Sequence, residues 1–220
     1  LGWKMTTDWD LGMYIIAILR AEELGLIKPE GVWGSEERLN KILDFLLTRK
    51  NTPEGIPYLW YLSDTGEPFG NVSTNPSDSG RLLIALKLLS NHKPHLQDKI
   101  LTYLAKTNYS YIAGNKKIWA QNFYSYLDAI GFMLWGFGNF EPVMKRLKDL
   151  ERLESYPKVN VYGVELPRIG ITSEPLILGY FDLELETFKK YLDLIYEAQK
   201  RRYLVTGLIT AWSEGGIPKE

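Results

Sequence analysis

The chain contains no cysteine and only two histidines, and these absences exclude several kinds of chemistry. Without cysteine there are no disulfides, no thiolate metal sites and no cysteine nucleophile. The two histidines, His92 and His95, lie in the polar segment SNHKPHLQDK, which is typical of a solvated connection between helices. We therefore expect no metal centre built on histidine.

Neither a strong net charge nor a long apolar run is present. The net charge is -1, and no long run of one sign forms an electrostatic footprint for nucleic acid. The longest apolar run, around Ile130 to Phe137, is interrupted by glycines and is shorter than the roughly 18 residues that cross a bilayer. We expect no nucleic-acid partner, no transmembrane segment and a soluble protein. The first residue is Leu1 rather than Met, which is compatible with the removal of a targeting segment or a parent domain.

Motifs of the commoner enzyme classes are also missing. The sequence has no GxSxG nucleophile elbow, no phosphate loop and no GxGxxG after a strand. The GFGNF segment at 136–140 instead predicts a helix-helix turn with Gly138 as a left-handed C-cap. No cofactor is expected.

What the chain does have is apolar residues at helical spacing, with Pro, Gly, Asn and Ser at the breaks. At 220 residues we expect one domain, covering 1–220. Short β-ribbons are expected at Tyr58 to Leu62 and Val159 to Tyr162, within long aromatic loops. The predicted helices run about 9–25, 35–50, 77–91, 94–107, 123–137, 140–153, 173–182 and 185–205.

The predicted helices alternate in character. Taken two at a time in chain order, the first helix of each pair is apolar around much of its circumference, while the second is charged along one face. A helix that is apolar nearly all round is buried, and an amphipathic charged helix faces solvent. The alternation predicts an all-α fold of helical hairpins, an α/α toroid with inner and outer helices and an incomplete ring as an alternative.

The apolar helices share a carboxylate near their starts. If these helices run in the same direction, their acids collect at one end of the ring, beside the aromatic loops. The alternative is that each acid only caps its helix or interacts with its dipole. Other capping residues stand just before three of these acids, which favours a functional role. The acids are Asp10, Asp78, Asp128 and Glu174.

Aromatic residues in the loops, and two arginines, complete the predicted site. Aromatics beside carboxylates form platforms for sugar rings, although buried loop tryptophans are an equal alternative. Arg81 could bind a ligand oxygen or simply pair with Asp78. The candidate substrate-binding residues are Trp9, Trp60, Tyr61, Arg81, Trp119, Tyr124, Arg168 and Trp212.

Carboxylates and aromatics are the groups that glycoside hydrolysis requires. One acid protonates the leaving oxygen, and the other activates water or attacks directly. We assign Glu174 as the general acid, because Pro175 and Leu176 suggest a partly apolar setting. Asp78 or Asp10 is then the base or nucleophile.

Six segments together resemble, in order, the landmarks of the DUF3131 family. The segments are TTDWDLGMYIIAILRAEELGLI, NPSDSGRLLIALKLLSN, YSYLDAIGFMLWGF, KVNVYGVELPR, TSEPLILGYFDLE and RRYLVTGLITAWSEG. The family looks similar to α/α-toroid glucoamylase-like glycosidases. The resemblance implies a toroid with an acid-lined cavity, carbohydrate processing, and an extracytoplasmic or cell-envelope setting.

Matched motif by motif, the resemblance places acids at four positions and lacks two others. The family's acids fall on Asp10, Asp78, Glu174 and Glu214, the last with a substrate-binding or alternative acid role. Two further acids of the family pattern are replaced here by Ile169 and Gly215.

Three hypotheses follow. The leading one is a glycoside hydrolase acting on an oligo- or polysaccharide. The second is a carbohydrate-binding or cell-envelope assembly module without catalysis, which the replacements at Ile169 and Gly215 favour. The third is a structural protein in which Asp10, Asp78 and loop carbonyls hold Ca²⁺.

Overall fold

The computed structural model of the protein describes residues 4–120, 122–169 and 171–209, which are mostly helical. These ranges contain nine α-helices, two short 3₁₀ turns and two small antiparallel sheets. The helices are α1 (Asp8–Glu23), α2 (Ser35–Thr48), α3 (Pro76–His92), α4 (Gln97–Lys106), α5 (Tyr109–Gly114), α6 (Phe123–Leu134), α7 (Glu141–Glu151), α8 (Ser173–Leu183) and α9 (Glu186–Thr206). The strands are β1 (Met5–Thr6), β2 (Tyr61–Leu62), β3 (Lys158–Val161) and β4 (Val164–Pro167), and the 3₁₀ turns are Pro94–Leu96 and Leu153–Ser155.

Helical periodicity predicted eight of these helices to within three residues at each end. Helix α5 was not predicted, because its six residues are too few to show a helical period. The mainly helical prediction is thus confirmed.

The turn after α6 corrects one prediction. Gly136, and not Gly138, has a positive φ, at 87°. The N–H groups of Gly136 and Phe137 donate to the carbonyls of Met133 and Phe132, which is how a glycine closes a helix C-terminus. The helix therefore ends at Leu134, one turn earlier than predicted.

Both predicted β-ribbons exist in part. Strand β2 pairs with β1, with Met5 opposite Leu62. Strands β3 and β4 form a hairpin in which Val161 lies opposite Val164. The two residues between them, Tyr162 and Gly163, both have positive φ (49° and 77°), as a type I′ turn requires.

Packing divides the chain into two compact units. Unit 1 comprises Leu1–Trp119 and Asp128–Lys145, and unit 2 comprises Ala120–Leu127 and Arg146–Glu220. The two are described separately below.

In unit 1, α1 packs against α3 and against α2, and α2 packs against α4. Helix α3 is the most enclosed element, since every residue from Ser79 to Leu86 is buried. Its apolar circumference has no polar face to expose, so neighbouring helices must cover it on all sides.

Glycines allow the helices of unit 1 to approach closely. A Cβ on Gly12 of α1 would lie 3.0 Å from the carbonyl oxygen of Arg81 in α3. A Cβ on Gly80 would lie 2.5 Å from the Cβ of Asp128 in α6, and one on Gly131 would lie 2.3 Å from the Gly80 carbonyl oxygen. Only residues without a side chain fit at these crossings.

Unit 2 is organised around the α8-α9 hairpin. The ring of Phe188 in α9 covers Gly179 in α8, where a Cβ would lie 2.0 Å from the ring. The ring of Phe123 stacks edge-on to Phe188, with centroids 5.3 Å apart. Arg201 donates to the carbonyl of Gly163 at 2.9 Å and so ties the β3-β4 turn to α9.

Among the helices of the described ranges, none combines the length and the apolar character needed to cross a bilayer.

We predict that Gly80→Ala destabilises the protein by about 1–3 kcal/mol or more, because overpacking forces the helix backbones apart. Denaturant unfolding followed by circular dichroism measures this change. The control is Gly138→Ala, whose new Cβ meets the flexible side chain of Met133 at 3.3 Å. An unfolding midpoint for Gly80→Ala equal to that of the wild type would show that α3 and α6 are not in backbone contact.

Candidate functional site

The first turns of α1 and α3 lie side by side in unit 1. The backbone N–H of Trp9 lies 3.4 Å from Oδ1 of Asp78, and Gly12 packs on the backbone of Arg81. From the first contact to the second, the residue number rises by three in both helices. Helices α1 and α3 therefore run in the same direction. The acids of their first turns therefore gather at one end of unit 1, as predicted for Asp10 and Asp78.

Asp10 is a capping residue as well as a candidate site residue. Its carboxylate accepts hydrogen bonds from the backbone N–H (2.9 Å) and hydroxyl (3.1 Å) of Thr7. The Thr7 hydroxyl in turn accepts from the N–H of Asp10, which completes a capping box. The expectation that Asp10 lies beyond the capping positions is therefore wrong. Its side chain is nevertheless exposed to solvent.

Asp78 occupies a different environment. It is half-buried, and its Oδ2 accepts a hydrogen bond of 2.6 Å from Nδ2 of Asn75, the N-cap of α3. Burial raises the pKa of Asp78, and the nearby Asp8 carboxylate raises it further. Hydrogen bonds from Thr7, Asn75 and the Trp9 backbone act in the opposite direction without cancelling the rise. Asp78 thus keeps its proton to a higher pH than an ordinary aspartic acid.

Thr7 connects the two candidate acids. Its hydroxyl bonds to Asp10 at 3.1 Å, and its side chain also acts on Asp78, where it lowers the pKa. A hydroxyl has one proton to donate, so the two carboxylates compete for it.

Arg81 and Trp9 flank this pair. Arg81 is only 1% exposed, with its guanidinium 5.9 Å from the centre of the Trp9 ring. Its Nε donates to the Met13 sulfur at 3.2 Å. Trp9 itself is half-buried.

Asp128, the third acid of the predicted series, lies on α6 and is completely buried against α3. Neither of its carboxyl oxygens has a hydrogen-bond partner of ordinary geometry. Burial raises the pKa of Asp128 well above its usual value, and Asp78 adds to the rise, whereas Ser77 and Arg81 oppose it. Asp128 is therefore held neutral, since an ionised carboxylate without partners is costly in the interior.

A buried ion pair beside the site was not predicted. Arg49 bonds to both carboxylate oxygens of Asp8, and both side chains are fully buried. Arg49 also donates to the Tyr103 hydroxyl at 2.6 Å, which lies 2.8 Å from that of Tyr109. Burial opposes the charge of Arg49, but the Asp8 carboxylate outweighs it and raises the pKa of Arg49. The Nε of Arg49 has no hydrogen-bond partner, but both side chains of the ion pair are closed to solvent, so we regard the network as structural.

Three of the predicted aromatic residues have different degrees of burial in unit 1. Tyr61 is 1% exposed and donates its hydroxyl proton to the carbonyl of Lys50. Trp119 is 7% exposed, and its indole N–H donates to the carbonyl of Ile112. Both are core residues and are left out of the site proposed below. Trp60 is half-buried.

Unit 2 holds the other predicted residues that the structure describes. The hydroxyl of Tyr124 donates to Oε2 of Glu174 at 2.6 Å, so these two candidates are in direct contact. Glu174 lies in the first turn of α8 and is half-buried. Arg168 is exposed just after β4. Trp212 and Glu214 lie outside the described residues.

Metal ligands are not grouped in the described ranges. No three His, Asp or Glu side chains there are arranged to hold a metal ion. His92 contacts Glu23 at 2.6 Å and His95 contacts Glu36 at 2.9 Å, both near the surface. Calcium held by Asp10 and Asp78 is therefore not carried into the proposal.

A groove of about 770 Å³ opens beside Asp10 in unit 1. Its volume falls in the range of small-molecule sites. Residues of β1, α1, the connection between α1 and α2, α2 and the segment around β2 line it, among them Tyr14, Trp33, Arg38 and Phe45. None of these was predicted as a site residue. The sequence offered one signal of this groove: Trp33 stands between Gly31 and Gly34, just before a charged helix.

One family model matches the chain over residues 2–220, and its description is "Protein of unknown function (DUF3131)". No curated protein and no solved structure matches the chain.

We predict that Asp128→Asn flattens part of the pH dependence of stability. The ordinary pKa of aspartic acid is 3.8, and folding raises it here, so the folded protein binds more protons than the unfolded chain above that pH. Stability from this group is present at low pH and is lost as the pH rises towards the folded pKa, by up to about 1.4 kcal/mol per pH unit.

The test is urea unfolding from about pH 4 to about pH 8, comparing wild type with Asp128→Asn. We expect the difference in unfolding free energy to shift in favour of the variant as the pH rises. The control is Asp98→Asn, an exposed residue of α4. A pH-independent difference for Asp128→Asn would mean that Asp128 does not hold its proton in the folded state.

Proposed function

Because the chain belongs to the DUF3131 family, whose description assigns no function, we propose a function from its residues: a glycoside hydrolase acting on an oligo- or polysaccharide. The observation that carries the proposal is the pair of carboxylates, Asp10 and Asp78, in the adjacent first turns of α1 and α3, with Thr7 beside both. Glycosidases use two carboxyl groups about 5–9.5 Å apart, which side chains on adjacent helix turns can meet.

The two acids suit different steps of hydrolysis. Asp78 is half-buried, and its raised pKa favours the protonated form that a general acid needs. Asp10 is exposed to water, as a base or a nucleophile must be. From the sequence, Asp78 was a candidate base or nucleophile. We assign it here as the acid, because it is half-buried whereas Asp10 is exposed.

Glu174 stays a separate candidate for the acid. Its hydrogen bond from Tyr124 fixes the orientation of the carboxylate, as positioned catalytic groups require. Mutation of Asp78 and Glu174 one at a time distinguishes the two assignments.

We also propose that the helices belong to an α/α toroid. In unit 1, the apolar helices α1 and α3 pack against each other, and the charged helices α2 and α4 do the same. This is the arrangement expected of inner and outer helices in successive hairpins. The glucoamylase-like likeness is part of the same proposal.

The second candidate is a carbohydrate-binding or cell-envelope assembly module without catalysis. It is favoured by the structural use of both acids, since Asp10 completes a capping box and Asp78 bonds to the N-cap Asn75. It predicts saccharide binding without hydrolysis at any pH.

Hydrolysis of a panel of oligo- and polysaccharides, followed by mass spectrometry of released products, tests the proposal. We expect Asp78→Asn and Asp10→Asn each to lower the rate by about a hundred- to ten-thousand-fold. Asp98→Asn, an exposed aspartate on α4, is the matched control and should keep the wild-type rate.

The outcomes separate the candidates. Loss of hydrolysis in Glu174→Gln but not in Asp78→Asn would assign the acid to unit 2. Binding of a saccharide by the wild type with no product released would replace the enzyme by the binding module.

A further inference from the structure

We propose that the groove beside Asp10 binds a negatively charged sugar residue, through Arg38 and the exposed face of Trp33. This inference rests on the proposed function, since it names the class of saccharide that the same end of unit 1 accepts. A uronic acid has both a sugar ring for Trp33 and a carboxylate for Arg38, and it is the ligand that we propose.

The groove adjoins Asp10, one of the two proposed catalytic acids. Asp10 and Tyr14 both line it and are separated by four residues along α1, which places them on one face of the helix. Four residues rise about 6 Å along the helix axis, so the two residues lie about one turn apart. A saccharide bound at Asp10 extends along the same face towards Tyr14.

Trp33 offers an aromatic platform. Its side chain is 76% exposed, a high value for tryptophan, although it stands beside a groove of about 770 Å³. Arg38 holds the residue in place, because its Nε donates to the Trp33 carbonyl at 2.9 Å and its guanidinium lies 5.6 Å from the ring centre. An exposed and positioned indole is suited to cover the apolar face of a sugar ring.

Arg38 is a cation without a carboxylate partner. Its NH1 donates to the Tyr14 hydroxyl at 2.6 Å, and it forms no salt bridge with any carboxylate in the described ranges. Arg49, Arg20 and Arg201, by contrast, each bond to an acid. A guanidinium binds a carboxylate through two parallel N–H groups, so Arg38 is available for an anionic ligand.

The charges lining the groove favour an anion. Arg38 and Lys41 are the cations, and Asp10 is the one carboxylate among the lining residues named with them. Lys41 also contacts Glu37 at 3.1 Å, but that pair is exposed and weak. Both cations of the lining lie on α2 and Asp10 lies on α1, so an anionic sugar is attracted to the Arg38 side of the groove.

The experiment is isothermal titration calorimetry on the full chain with three ligands. They are a short oligouronide, the same oligosaccharide after reduction of its carboxyl groups to alcohols, and a sulfated oligosaccharide of similar length. We expect the oligouronide to bind tighter than its reduced counterpart, with an affinity that falls as salt is added.

Variants assign the contacts. Arg38→Gln should weaken oligouronide binding by about ten- to a hundredfold, and binding of the reduced oligosaccharide by clearly less, since only the contact with Trp33 is then lost. Trp33→Ala should weaken both ligands. The control is Arg20→Gln on α1, an exposed arginine paired with Glu23 that does not line the groove.

Three results are decisive. Equal affinity for the oligouronide and its reduced form, or no effect of Arg38→Gln, overturns this inference and leaves the proposed function standing. If the sulfated ligand instead binds more tightly than the oligouronide and loses that binding in Arg38→Gln, the ligand is still an anionic sugar, but its charged group is a sulfate and not a carboxylate. Absence of binding by all three ligands overturns this inference, whereas product release from a neutral saccharide would still support the hydrolase.

Discussion

The close contact of α3 with α1 and α6 in unit 1 is the constraint on which the candidate site depends. Gly12, Gly80 and Gly131 remove the side chains that would otherwise separate the backbones. Helices α1 and α3 run in the same direction. Because their backbones are this close, their first turns are adjacent and the N–H of Trp9 reaches Asp78. The same contact encloses Asp128. A larger residue at any of the three glycines would displace a helix and so disturb the arrangement of the acids, although no acid itself is replaced.

Three aspartates close to one another in unit 1 occupy three different environments. Asp8 is buried and bonded on both oxygens to Arg49. Asp128 is buried without a hydrogen-bond partner and stays neutral. Asp78 is intermediate, because it is half-buried, hydrogen-bonded and near the charge of Asp8. Chemistry on a ligand requires an acid that is both accessible and perturbed, and among these three only Asp78 meets both conditions.

The sequence predicted the helices and the gathering of Asp10 and Asp78, because both depend on local periodicity and on repeated helix starts. It did not predict the Asp8-Arg49 pair, whose members are 41 residues apart and share no pattern. The capping role of Asp10 could have been found, since Thr7 stands three residues before it, the spacing of a capping box. Tyr61 and Trp119 were assigned to ligand-binding loops, but the loops fold back and bury both rings, which composition alone does not reveal.

The central claim is that Asp78 is a perturbed acid in contact with a saccharide site. A titration of its carboxyl carbon by NMR, with and without a bound oligosaccharide, tests that claim most directly. The account predicts a pKa above the ordinary 3.8 in the free protein and a change in that carbon's signal when the saccharide binds. An ordinary pKa, or a signal that bound saccharide leaves unchanged, would contradict it.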